Sequence, residues 1–423
     1  MRNALYTICI FCTFVHKMKY NTHTFPGGLR LIHLPSTSPI VYCGYQIAAG
    51  TRNELRGEEG LAHFCEHCTF KGTEHRNAMD VINELESVGG ELNAYTTKEG
   101  TVYYAAILKE HIRRAVDLLT DMVFHSIYPQ EELDKEKEVV CDEIESFNDS
   151  PAELIYDEFD TLVFEGHPLG HNILGNTDLV RSYTTLDALR FTKKYYRPDN
   201  TIFFAYGDID FKELISMIEQ LLPNCTTPKK EIPLSEIVPY QPRTVIRHKK
   251  THQAHVMVGN RAYPIHDKRR MALYLLNNIL GGPGLNARLN LSMRECHGLV
   301  YTVESTMVSY EDTGMWNIYF GCDPEDINQC IRLVRKELDL LTQKKLSEEE
   351  LTAAKQQIKG QIALACDHRE NFALDFGKSF LHYGWEKDIN TLYRHIDQIK
   401  AEEIQAVAQD IFPAEKLTTL IYQ

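Results

Sequence analysis

The sequence predicts two successive copies of one sheet-plus-helix unit, of the α/β or α+β class, and three observations carry that prediction. Strand-like runs alternate with long amphipathic helices in both halves of the 423-residue chain, the pattern of a sheet covered by helices. The chain also resembles itself at a shift of 215 residues. Near its middle, Cys225 to Thr244 carries four prolines among polar residues and interrupts the periodicity. Periodicity alone does not choose the strand order.

The self-similarity has three parts in register. In VYYAAILKEHIRRAVDLLTDMV, Ile112, Val116, Leu119 and Val123 stand at helical spacing, and Ile327, Ile331, Val334 and Leu338 hold the same relative positions. Strand-like residues precede both helices, Tyr104 matching Tyr319. LDALRFTKKYYRPDNTIFFAYG then matches AEEIQAVAQDIFPAEKLTTLIY, with Pro198 opposite Pro413. A duplicated unit of roughly 200 residues is of ordinary domain size. The expected division is a first domain over 18–224, a linker over 225–244 and a second domain over 245–423. Residues 1–17 read as an extension ahead of a true start at Met18. Their apolar run, Ala4 to Val15, is too short to span a bilayer and lacks a small-residue cleavage site, although a degenerate export signal is an alternative.

A net charge of −14 argues against nucleic-acid binding, which needs clustered Lys and Arg. Eleven scattered cysteines, an odd number lying mostly in apolar stretches, read as reduced thiols in a reducing compartment. The expectation is a cytoplasmic protein with no membrane partner.

EEGLAHFCEHCTFKGT, residues 58–73, concentrates metal-binding side chains. His63, Glu66 and His67 form H-x-x-E-H. On a helix His67 lies about 40° to one side of His63 and Glu66 about 60° to the other, so all three share a face. Two imidazoles one turn apart can chelate Zn²⁺, and the glutamate can reach water at the metal. Chance supplies such a five-residue motif in about one of every ten or twenty comparable sequences. A zinc knuckle on Cys65 and Cys68 is disfavoured because no second C-x-x-C follows, and both read as core residues. A catalytic zinc needs a third ligand. The acidic helix PQEELDKEKEVVCDEIESF, with its apolar stripe at Leu133, Val140, Ile144 and Phe147, offers Glu138, Asp142, Glu143 and Glu145 without separating them.

HFCEHCTFKGT, together with HTFPGGLRLIHLPS near the start, resembles the pitrilysin/insulinase family of zinc peptidases (M16), in its half-length branch that includes the mitochondrial processing peptidase subunits. The likeness covers nearly all of the chain after Met18, and it implies α+β domains and one Zn²⁺ per chain. The family takes its third ligand from a glutamate about 76 residues beyond the motif, which falls on Glu143, with a buried glutamate seven residues earlier at Glu136. GGELNAYTTKEGTVYYA resembles the family's substrate-binding strand, which implicates Asn93, Ala94, Tyr95 and Thr96. MRECHGLVYTVES matches an Arg and Tyr of the second domain that face the metal, here Arg294 and Tyr301. The second half lacks the metal residues: MALYLLNNILGGPGL stands in place of the motif helix. Pro283 departs from the small, flexible residues usual there. The resemblance implies peptide substrates, Glu66 as general base, and pairing of two chains. A homodimer is the first expectation and a heterodimer with a metal-free homologue the second. The competing functional reading is a non-catalytic partner subunit, which the complete ligand set disfavours.

Overall fold

The computed structural model describes residues 19–222, 233–249, 251–384 and 388–423. The expected N-terminal extension, 1–17, and the stretch 225–232 of the expected linker lie outside them. Strands β1 (Asn21–Thr24), β2 (Arg30–Pro35), β3 (Ile40–Ile47), β4 (Glu91–Thr96), β5 (Thr101–Leu108) and β6 (Thr201–Gly207) form one sheet in the order β1-β2-β6-β3-β5-β4. Strands β7 (Thr244–Arg247), β8 (Ala254–Ala262), β9 (Val300–Ser309), β10 (Gly314–Cys322) and β11 (Thr418–Tyr422) form a second in the order β7-β11-β8-β10-β9.

The five strands of the second sheet repeat the last five positions of the first. β2 and β6 run parallel, as do β7 and β11, and every other pairing is antiparallel. The fold is therefore α+β, with a mixed sheet in each of two related units. Central strands such as IVYCGYQI and TVYYAAIL are rich in β-branched and aromatic residues because both of their faces are covered. One glycine position recurs at the same shift of 215: a Cβ on Gly44 would sit 2.3 Å from the Tyr103 carbonyl oxygen, and one on Gly259 2.3 Å from that of Trp316. At both places the neighbouring strand approaches too closely for a side chain.

Helices of the first half are α1 (Leu61–Thr69), α2 (Ala78–Glu86), α3 (Ile112–His125), α4 (Gln130–Asn148), α5 (Pro151–Val163), α6 (Thr177–Ser182), α7 (Thr185–Tyr195) and α8 (Phe211–Leu221). Those of the second are α9 (Arg270–Gly281), α10 (Ile327–Gln343), α11 (Glu348–Asp367), α12 (Arg369–Tyr383), α13 (Ile389–Gln398) and α14 (Ala401–Ile411). The two helical quartets read from the sequence behave alike. Ile112, Val116, Leu119 and Val123 are buried on α3; Ile327, Val334 and Leu338 are buried on α10, with Ile331 half-buried beside them.

Periodicity does not reveal where two of the helices go. α3 covers one face of its own sheet, against β3 and β5, but the other face receives α12 from the second half, packed on β3 and β6. Phe376 of α12 meets Tyr20, Phe204 and Tyr206 at ring-centroid distances of 5.3, 6.3 and 6.3 Å. Reciprocally, α5 of the first half lies on β8 and β11, where Ile155, Phe159 and Val163 join Met257, Leu420 and Tyr422 in one cluster. Each such buried apolar side chain contributes on the order of 2 kcal/mol. Polar contacts fix the exchanged helices as well: Arg30 donates to the Phe380 and Leu381 carbonyls at 3.0 and 2.8 Å, and Arg261 to that of Val163 at 2.9 Å. Beside this seam the buried Arg52 pairs with Glu99, at 2.7 Å, and with Asp312 of the β9–β10 turn.

Among the described residues no helix is long and apolar enough to cross a membrane. The described cysteines are free thiols, most of them buried.

Candidate metal centre

α1 begins after Gly60, whose φ of 91° suits glycine, and its apolar residues Leu61, Phe64, Cys65 and Cys68 are buried. The polar edge of the same helix presents His63, Glu66 and His67 between α4 and β4. His63 and His67, one turn apart, lie with ring centroids 4.5 Å from each other. Glu143 of α4 completes the group: its Oε2 is 3.8 Å from His63 Nε2 and 3.4 Å from His67 Nε2. Ligands at about 2.0–2.1 Å in a tetrahedron lie roughly 3.3–3.4 Å apart, so the His67 separation matches the edge of a zinc site and the His63 separation needs to close by about 0.4 Å. One ligand atom from each of the three residues falls within 4.8 Å of the others. Of the other acids proposed on α4, Glu138 pairs with Arg181 at 3.3 Å, and neither it nor Asp142 nor Glu145 joins a ligand cluster among the described residues. Cys65 and Cys68 belong to no ligand cluster among the described residues.

The surroundings prepare the imidazoles. His67 Nδ1 donates to Glu136 Oε1 at 3.0 Å, which turns Nε2 and its lone pair toward Glu143. The second Glu136 oxygen accepts from Lys71 Nζ at 2.6 Å. Burial alone would raise the Glu136 carboxyl, but the hydrogen bonds from His67 and Lys71 hold it below the usual range. Burial, reinforced by His67, pushes His63 down to about 3, so its ring is neutral and able to ligate. Burial raises Glu66 above the ordinary carboxylate value; His67 and a 2.8 Å hydrogen bond from Thr96 Oγ1 offset only part of that rise. Three carboxylates thus converge on two imidazoles with one ammonium to balance them, a donor set that a divalent cation suits.

β4, with Asn93, Ala94, Tyr95 and Thr96, ends the first sheet: it pairs with β5 alone, and its outer edge is unpaired among the described residues. Arg294 and Tyr301 lie elsewhere. Arg294 is on a π-helical turn, Asn290–Glu295, and Tyr301 is the second residue of the edge strand β9, with 86% of its surface exposed. Both line a cavity of about 770 Å³ with Gly282, Pro283 and Glu304, and none of His63, His67 and Glu143 borders it. Within one chain, then, the metal group and the Arg294–Tyr301 pair occupy separate places. Lys71 escaped the sequence reading. It lies in the turn just past the end of α1, where no helical spacing fixes the direction of a side chain.

Fold and site together define a class: duplicated α+β proteins with a two-histidine, one-glutamate group able to hold a divalent metal, and a further glutamate, Glu66, on the same helix as the histidines. Comparison with known proteins narrows it. The sequence model for "Insulinase (Peptidase family M16)" matches residues 31–177, and that for "Peptidase M16 inactive domain" matches 182–358. An uncharacterised zinc protease of Streptomyces coelicolor is 31% identical over 92% of this chain and 86% of its own length. One of Bacillus subtilis is 31% identical over 94% of this chain and 97% of its own. The crystal structure of a protease from Helicobacter pylori superposes with a TM-score of 0.89 at 21% identity, covering 96% of this chain and all of that one. The chain belongs to peptidase family M16, the insulinase family, as a two-domain member.

Proposed function

We propose that this M16 chain is a zinc-dependent endopeptidase that cleaves unfolded peptides or extended segments inside a chamber closed by two chains. The observation that carries the reading is the convergence of His63, His67 and Glu143, with Glu66 beside them on the same helix. These three residues would hold one Zn²⁺. Zinc supplies Lewis-acid polarisation of a carbonyl and acidification of water.

The chain's own groups do the rest. Glu66, a carboxylate raised by burial and held by Thr96, takes a proton from water and returns it to the leaving amine. The free edge of β4 takes an extended peptide by main-chain hydrogen bonds, which tolerates many sequences. Glu136 orients His67. Arg294 and Tyr301 donate to the developing oxyanion of a substrate held by the other subunit. Their place in a cavity that none of His63, His67 and Glu143 borders, and the exposure of Tyr301, favour this sharing. Because both sets of residues occur in one sequence, a homodimer is the arrangement preferred. The free thiols are in keeping with a cytoplasmic setting.

Mixing tests the reading. Glu66→Gln chains and Tyr301→Phe chains, each weak alone, recover part of the cleavage of a quenched unstructured peptide when combined. No recovery would refute the shared site. Zinc bound at one per chain with Glu66→Gln as fast as wild type would refute the base.

A further inference from the structure

Apart from the centre just described, one cluster on the described surface has the donors of a metal site. His125 ends α3, Asp121 stands one turn earlier, and His75 comes from the loop between α1 and α2. Asp121 Oδ1 lies 2.7 Å from His75 Nδ1 and 3.5 Å from His125 Nδ1, and the two rings meet at 90° with centroids 5.4 Å apart. Ligand atoms of all three residues fall within 4.8 Å of one another. We propose that His75, Asp121 and His125 form a second metal site of this chain, for a divalent transition ion such as Zn²⁺ or Ni²⁺, weaker than the centre on α1.

The two oxygens of Asp121 have different tasks. Oδ2 accepts from Thr73 Oγ1 at 2.6 Å and from Arg76 at 2.8 Å, which fixes the carboxylate plane and leaves Oδ1 facing both imidazoles. Arg76 is paired in turn with Asp117, so its charge is compensated before it opposes an incoming cation. Outer contacts of this kind hold a ligating carboxylate in place. The His125–Asp121 separation already matches a tetrahedral edge; the His75–Asp121 separation must open by about 0.6 Å. His75 can move that far, because its side chain is 60% exposed, and that exposure also leaves the remaining coordination position to water. Two imidazoles select zinc, nickel, cobalt or copper over magnesium and calcium, which prefer oxygen. The site lies at the C-terminus of α3, where the helix dipole favours a cation.

In the metal-free chain a proton shared by His75 and Asp121 sits where the ion would go. Binding needs that hydrogen to leave Nδ1: a doubly protonated ring gives it to solvent, and a neutral ring carries it on Nε2 instead, so that in either case Nδ1 presents its lone pair to the metal. An ion there would also clamp residues 73–77 to α3. The same loop supplies Lys71 to Glu136, so occupancy stiffens the segment that supports His67.

The test is zinc stoichiometry by equilibrium dialysis on the chelator-stripped full-length chain. Wild type is expected to bind two Zn²⁺ per chain, tight and weak, His75→Ala/His125→Ala the tight one alone, and Glu143→Gln to keep the weak one. Cleavage by the double variant at one zinc equivalent is expected to match wild type, since neither histidine belongs to the peptidase machinery. His75→Ala alone, at an exposed side chain, should weaken the second zinc at least about tenfold and abolish the rise in Tm that excess zinc gives the wild type. One zinc in wild type, or two in His75→Ala/His125→Ala, would overturn the proposal; neither result bears on the centre at His63 and His67.

Discussion

Glu136 never touches the metal in the arrangement proposed, yet its removal should be felt there. It accepts from His67 Nδ1 at 3.0 Å and from Lys71 Nζ at 2.6 Å, so it sets the His67 tautomer and neutralises the nearest ammonium. Glu136→Ala loses both effects: the imidazole is free to turn, and the Lys71 charge stands uncompensated near the cation. Loss of such a support costs about 10–100-fold in metal affinity, or about 1.4–2.7 kcal/mol. Glu136→Gln keeps an acceptor oxygen for His67 and loses only the charge, so it belongs at the lower end of that range. Lys71→Met/Glu136→Gln removes both charges and should recover part of the loss. Competition against a chromophoric chelator gives the zinc Kd of each variant, and the Tm of the stripped proteins reports any general damage to the fold. A Glu136→Ala chain with wild-type zinc affinity would refute the reasoning, as would a Gln variant that binds more weakly than the Ala variant.

Glu66→Gln should lower cleavage by at least about 10²–10⁴-fold while zinc content, measured by atomic absorption, stays the same. Chelator treatment should abolish cleavage of a quenched peptide, and added Zn²⁺ should restore it. Arg52→Met should destabilise by at most about 3–5 kcal/mol in urea unfolding, because it leaves the partly buried carboxylates of Glu99 and Asp312 without their shared cation. Burial pushes Asp160 of α5 up to about 6, with Lys98 at 3.4 Å offsetting part of the rise. Its folded pKa exceeds the unfolded value near 4, so its contribution is fully present below that value and is lost as pH rises through about 6. Asp160→Asn should therefore flatten the fall in stability between about pH 4 and 6, a difference of at most about 3 kcal/mol seen in Tm against pH.

Much of the fold was legible because burial imposes a period. The quartets beginning at Ile112 and Ile327 could be read off directly, and the strand runs around Tyr104 and Tyr319 with them. The positions of α5 and α12 could not: an apolar stripe says that a helix is covered and is silent about which sheet covers it. The motif helix was legible for the same geometric reason, with His63, Glu66 and His67 on one face. The proposed third ligand was not, since four acids of α4 look alike in sequence; resemblance pointed to Glu143, whose carboxylate lies 3.4 and 3.8 Å from the two imidazoles while Glu138 turns to Arg181. Thr96 was read only as part of a substrate strand, and its hydrogen bond to Glu66 emerged from the fold. Contacts such as Arg52 with Asp312 join residues far apart in the chain and leave no local trace.

The reciprocal loan of α5 and α12 makes the molecule a handclasp. Severing the chain between the sheets would yield two fragments, each with a naked sheet face and a homeless helix, and neither should fold until the other arrives. Co-expressed, they should find each other and assemble. The intact chain meets the same demand in time: Gln46 reaches the Leu374 carbonyl across 328 residues, so the clasp waits on the last quarter of the polypeptide to be made.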